Sequence, residues 1–194
     1  PPTTQPAPHG FVADWPHVEW TEIVGEALEL HGKDLFKVTP RDASTYGFKG
    51  GSHDSIKQFY IMLISSMVRF ESTFRPQINT YECRKKCVYE KCRYVEGRGY
   101  CMLGGHKLDG GLVISRGLLQ ISLQSAQSYG CKLTKPEELN DVAKNLTCGV
   151  IILNRWVAKD QMIGTDKKGG ARYWAVLRES SDSRLKIIQK VKAK

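Results

Sequence analysis

The 194 residues carry 29 Lys and Arg against 20 Asp and Glu, a formal net charge of +9, with 41% hydrophobic and 25% charged residues. That composition suits one compact globular domain plus an extension and excludes a membrane-spanning helix, since the longest apolar run, FYIMLI, falls far short of the ~20 residues a bilayer needs. The positive balance favours a polyanion (an acidic wall polymer, nucleic acid or an anionic membrane), although no arginine-rich run interleaved with aromatics marks a nucleic-acid groove.

The opening PPTTQPAPHG is proline-rich and aperiodic, as expected of an extended tail. No signal peptide is read at Pro1, and a mature or trimmed chain is expected. A helix is predicted from Trp15 to His31 with Ile23, Ala27 and Leu30 on one face. Residues 39–54 are turn-rich and predict a surface connection. Ser52 or Asp54 is placed to cap a long helix running to about Phe70, whose buried face is Ile56, Phe59, Tyr60, Leu63, Ile64 and Met67. Glu71 follows Met67 by four residues and so extends that apolar face with a carboxylate.

Cys83, Cys87, Cys92 and Cys101 fall in one segment, and Cys131 and Cys148 lie further on. An even number favours disulfides and an oxidising compartment, periplasmic or secreted. A zinc site from the first four is the rival, but their spacing lacks the paired C-x2-C pattern of common structural sites. Six cysteines allow fifteen connectivities. Cys131 with Cys148 is the preferred long-range pair, because the two flank a single loop and helix start. The segment from Cys83 to Cys101 predicts a stapled irregular insertion, and GGHKLDGGLVISRG after it a glycine-rich loop. A helix is predicted over Gly117–Gly130, striped by Leu118, Ile121 and Ala126. Another starts near Pro136 and ends by Gly164, with Leu146, Val150, Leu153 and Val157 buried. ARYWAVLR and SRLKIIQKVKAK predict a last helical region.

A carboxyl at the end of an apolar face has its neutral form favoured, which raises its pKa and suits it to donate a proton to a leaving oxygen. The alternatives for Glu71 are a structural ion pair, with Arg75 or Arg116 as the candidate cations, and plain exposure where the helix frays. ESTFRP at Glu71–Pro76, SRGLLQIS at Ser115–Ser122 and NLTCGVIIL at Asn145–Leu153, in that order, resemble the soluble lytic transglycosylase and goose-type lysozyme family. The resemblance covers about Ile56 to Arg178. It implies a mainly α, lysozyme-like fold, into which the cysteine segment is set as a disulfide-rich irregular insertion that the family does not usually carry. Residues 1–50 are then an N-terminal tail and helical extension, and 51–194 the catalytic domain.

Carried over by motif, Glu71 is the catalytic acid/base in cleaving the β-1,4 bond between N-acetylmuramic acid and N-acetylglucosamine. Ser72 organises the site or caps the helix with its hydroxyl, and Gln120 contacts substrate or satisfies loop backbone. Gly117 permits a tight turn or a close approach to sugar. The family's Ala-Tyr-Asn-x-Gly stretch is replaced here by GARYWAVLR, which makes Tyr173 the equivalent tyrosine by position. Glu82, Glu90, Glu96 and Asp109 are the choices for a second carboxylate. With one in the cleft the product is hydrolytic; with none, the sugar's C6 hydroxyl closes a 1,6-anhydro ring. The partner implied is peptidoglycan, cleaved by a monomer that uses no metal or cofactor and binds no nucleic acid. The alternatives are a lysozyme selective for N-deacetylated peptidoglycan and a non-catalytic wall-binding module; a basic nucleic-acid binder is a third class.

Overall fold

The fold is mainly α, and its helices share one apolar core. The computed structural model describes residues 13, 15–83, 92–95, 98–103, 106–108 and 112–193, with backbone alone for 81–83, 92–95, 98–103, 106–108 and 112–114. Helix α1 (Glu19–His31) opens with Glu19 and Glu22 in its first turn, where carboxylates complement the helix dipole. It starts at Glu19 rather than Trp15, and it buries Trp20, Val24, Ala27 and Leu28. Ile23 is only partly buried and Leu30 is exposed, so the buried face is rotated from the expected stripe.

The turn-rich stretch 39–54 is a surface connection only in part: Lys49 and 51–54 are largely exposed, but Pro40, Asp42, Tyr46 and Phe48 are buried. It forms a one-turn helix, α2 (Ala43–Tyr46), whose Tyr46 is fully buried. Asp42 is buried beside it because its carboxylate accepts the N–H groups of Ile163 at 2.7 Å and Gly164 at 2.9 Å. A buried carboxylate without such donors would cost several kcal/mol. Helix α3 (His53–Ser72) is capped by Ser52, whose Oγ accepts from the Ser55 N–H at 3.2 Å. Every residue from Tyr60 to Val68 is buried, Ser65 and Ser66 included, so α3 is covered on all sides rather than on one face.

Five short strands follow: β1 (Asn79–Cys83), β2 (Cys92–Val95), β3 (Arg98–Leu103), β4 (His106–Leu108) and β5 (Leu112–Arg116). β1 pairs antiparallel with β5, and β2, β3 and β4 form a second antiparallel sheet. The glycine-rich run expected as a loop therefore supplies β4 and β5, its Leu112-Val113-Ile114 run having the strand preference that the glycines around it lack. Cys87 lies outside the described residues, as do the side chains of Cys83, Cys92 and Cys101. In the backbone register Cys92 stands opposite Cys101.

Residues 117–130 do not form one helix. A turn occupies 117–120, and α4 (Leu123–Ser128) begins only after Ser122, its N-cap. Likewise the helix expected from Pro136 divides into a 3-10 turn, Pro136–Asn140, and α5 (Val142–Asp160), which Asp141 caps by accepting the Lys144 N–H. Leu146, Val150, Leu153 and Val157 of α5 are all fully buried, as their spacing requires. A Cys131–Cys148 disulfide ties the chain after α4 to α5, which is the expected pair. A small hairpin, β6 (Gly164–Thr165) and β7 (Lys168–Gly169), leads through two 3-10 turns to α6 (Asp182–Lys192), which packs on α3 through Ile187, Ile188 and Val191. No helix among the described residues is long and apolar enough to cross a membrane.

Candidate active site

Glu71 stands in the last turn of α3 and is half-buried. Immediately after it the chain turns sharply, with Thr73 at φ 53° and Phe74 at φ 59°. Two consecutive non-glycine residues in the left-handed region, one of them β-branched, are costly and are held only where the surroundings fix them. Here the Thr73 N–H donates to Arg69 O, the Arg75 N–H and Nε both donate to Ser72 O, and Phe74 packs against the core. The turn returns the chain so that Ile78 O accepts from the Gly117 N–H at 3.0 Å and from Gln120 Nε2 at 3.3 Å. One carbonyl thus joins the first motif to the second.

The second motif is a turn closed by two bonds between Arg116 and Ile121, N–H to O at 2.9 and 3.0 Å. Gly117 has φ 72°, and a Cβ there would lie 2.1 Å from Leu139 O and 2.4 Å from Asn145 Nδ2. Only glycine fits. Asn145, fully buried in the first turn of α5, accepts the Leu119 N–H at 2.9 Å and donates to Arg116 O at 3.0 Å and Leu139 O at 2.8 Å. Gly149, one helical turn on, has Leu119 packed where a Cβ would be. The third motif is therefore the clamp for the second. Trp174 adds a further tie, its Nε1–H donating to Leu119 O at 2.9 Å.

These ties place Glu71, Gln120 and Tyr173 around one pocket of about 300 Å³. Ser115, Ser122, Ser125, Trp174, Ala175 and Arg178 complete its lining. Gln120, at φ 49°, spends its amide N–H groups on Ile78 O and Gly117 O, while its Oε1 is buried with no partner among the described residues. Burial pushes the Tyr173 phenol above its ordinary pKa; hydrogen bonds with the Ser125 side chain and the Ser122 backbone oppose this, and the negative charge of nearby Glu71 adds to it. Ser72 is buried, and its Oγ–H donates to Val68 O within the helix. Gly117 and Ser72 support the pocket without lining it among the described residues.

Of the four residues considered for a second carboxylate, Glu90, Glu96 and Asp109 lie outside the described residues. Glu82 is on β1, opposite Val113, two positions beyond the Thr80–Ser115 pair. Residues two apart on a strand share a face, so Glu82 has its register position on the same side of the ladder as Ser115, which lines the pocket. Ser122, Ser125 and Arg178 were not reached from sequence. Ser-x-x-Ser before a short helix signals only an N-cap, and nothing around Arg178 sets it apart from the other cations.

No protein-family model and no curated protein matches the sequence. Three solved structures do, all of Bd0314 DslA. The wild-type structure is 33% identical, with a TM-score of 0.74, over 92% of this chain and 93% of that one. Two glutamate-to-glutamine mutants are each 35% identical over 88% of this chain and 86% of that one, with TM-scores of 0.71 and 0.70. Their substitutions are at positions 143 and 154 of DslA, eleven residues apart. Glu71 and Glu82 are the one pair of glutamates in this sequence with that separation. By identity and shared length, the chain belongs to the lysozyme-like DslA family.

Proposed function

We propose that this protein is a muramidase that cleaves the β-1,4 bond between N-acetylmuramic acid and N-acetylglucosamine in peptidoglycan, with Glu71 as proton donor. The observation that carries the reading is the convergence of three sequence-distant motifs on one pocket lined by Glu71, Gln120 and Tyr173.

In the reaction Glu71 delivers its proton to the glycosidic oxygen as the bond to C1 breaks. The matching glutamate spacing and the register of Glu82 support it as the second carboxylate. Glu82 then accepts a proton from the water that attacks C1, and the product is hydrolytic. Without that role, the C6 hydroxyl attacks C1, Glu71 takes up its proton, and a 1,6-anhydro end forms. The Cys131–Cys148 disulfide supports an oxidising location, periplasmic or secreted.

Mass spectrometry of sugars released from purified peptidoglycan tests the reading. Products carrying one added water, lost in Glu82→Gln, are expected; 1,6-anhydro ends would transfer the reaction to the single-carboxylate route. Acetylated and N-deacetylated walls run side by side determine which the pocket accepts.

A further inference from the structure

We infer that Arg178, with Lys167 and Lys168, forms a carboxylate-binding subsite beside the cleavage pocket that takes the acidic peptide carried by muramic acid; this rests on the muramidase reading above. Arg178 lines the Glu71 pocket and also a second cavity of about 530 Å³, which the β6–β7 hairpin borders through Lys167 and Lys168. A volume of that order falls within the roughly 300–1,000 Å³ of ordinary ligand sites. The two spaces therefore meet at one guanidinium.

That guanidinium is set for a ligand. Its Nε–H donates to Ala171 O at 3.1 Å, which fixes the plane of the group. Its two terminal amino groups have no hydrogen-bond partner among the described residues. A half-buried arginine with a pinned Nε and two open amino groups is a fork for a carboxylate. Asp166, Arg172 and Glu179 also line the cavity, so the cations there outnumber the carboxylates, four to two. Arg172 is bonded to both oxygens of Asp160, at 2.5 and 2.9 Å. Glu179 accepts from Thr165 Oγ1 at 2.5 Å, the first cause that holds it below the usual carboxylate range. Lys167 and Lys168 are exposed and add positive charge at the mouth. A glycan held at Glu71 carries its peptide on the lactyl group of muramic acid, so an acidic peptide leaving the cleavage pocket past Arg178 enters this cavity.

The test compares three substrates: peptide-bearing glycan strands, the same strands with the peptide carboxylates amidated, and strands stripped of peptide, which retain only the lactyl carboxylate. For Arg178→Gln, and separately for Lys167→Gln with Lys168→Gln, the ratio of kcat/KM on peptide-bearing to stripped strands should fall. For Arg178 the fall is roughly tenfold, as for one charge-assisted hydrogen bond of about 1.4 kcal/mol. Amidated strands should behave like stripped ones, and a charge-matched control, Lys33→Gln with Lys37→Gln, should leave the ratio unchanged. A uniform loss on all three substrates, or an unchanged ratio in both variants, overturns the assignment. A wild-type protein that cleaves none of the strands overturns the muramidase reading instead. The subsite is then still tested by titrating the free acidic tetrapeptide into Glu71→Gln, with and without Arg178→Gln: binding that Arg178→Gln abolishes upholds it, and no binding overturns it.

Discussion

Gly117→Ala should be among the most damaging single-methyl additions in the molecule. The new Cβ would lie 2.1 Å from Leu139 O and 2.4 Å from Asn145 Nδ2, contacts that cannot exist, at a backbone φ of 72°. The left-handed conformation alone costs an alanine about 1–2 kcal/mol relative to glycine. The larger loss is the Asn145 clamp. Its amide makes three bonds, to Leu119 N, Arg116 O and Leu139 O, and it is fully buried. Displacing two of them at about 1 kcal/mol each, with desolvated groups left behind, brings the total to roughly 3–5 kcal/mol. For a chain of this size that is a fall of roughly 10 °C in Tm. Denaturant melts of Gly117→Ala, Asn145→Ala and the double variant measure it. Because both changes break the same clamp, the double variant should lose well under the sum of the single losses. A Gly117→Ala loss below about 1 kcal/mol, or strict additivity in the cycle, would refute the clamp.

The Cys131–Cys148 disulfide closes a loop of 17 residues in sequence separation, and replacing both cysteines by alanine should cost roughly 3 kcal/mol in the chain-entropy account. An unchanged unfolding midpoint contradicts that. Half-buried Glu138 accepts from Thr134 N, Lys135 N and Lys144 Nζ, with the Lys144 bond as the largest cause holding its pKa down at about 2. Its folded pKa lies below the unfolded value, so its contribution is present above about pH 4.5 and is lost as pH falls towards 2. The stability gap between wild type and Glu138→Gln should close over that window, and an acid-independent gap would contradict the assignment. Tyr173→Phe removes the phenol while keeping the ring, and should lower kcat about tenfold, as for one hydrogen bond of ~1.4 kcal/mol, with Tm little changed. Full retention of kcat would show that the phenol has no part in turnover.

Much of the site was legible because its motifs are local and their residue types constrained. Glu71 is readable from a helical apolar face that ends in a carboxylate, and Gly117 from the backbone freedom a tight turn needs. The position of Asn145 is also visible, but its action is not: it bonds across 26 residues to Leu119, a partner no short window contains. Element boundaries failed where local periodicity was overridden. Leu118, Ile121 and Ala126 share an apolar spacing, yet Gly117 and Gln120 adopt positive φ and divide the stretch into a turn and a helix. The stretch around Asp42 looks like a polar turn because its composition is one. It is buried because the N–H groups of Ile163 and Gly164 meet its carboxylate, a match set by the far end of the chain. Arg178 was missed for the same reason: its place between two cavities depends on Ala171 O and the β6–β7 hairpin, not on its neighbours in sequence.

The most direct test of the central claim is the release of soluble sugars from purified peptidoglycan by wild type and by Glu71→Gln, with the Tm of each measured in parallel. Loss of the general acid should reduce turnover by about 10²–10⁴-fold at an essentially unchanged Tm. A folded Glu71→Gln protein that retains wild-type turnover would contradict the account.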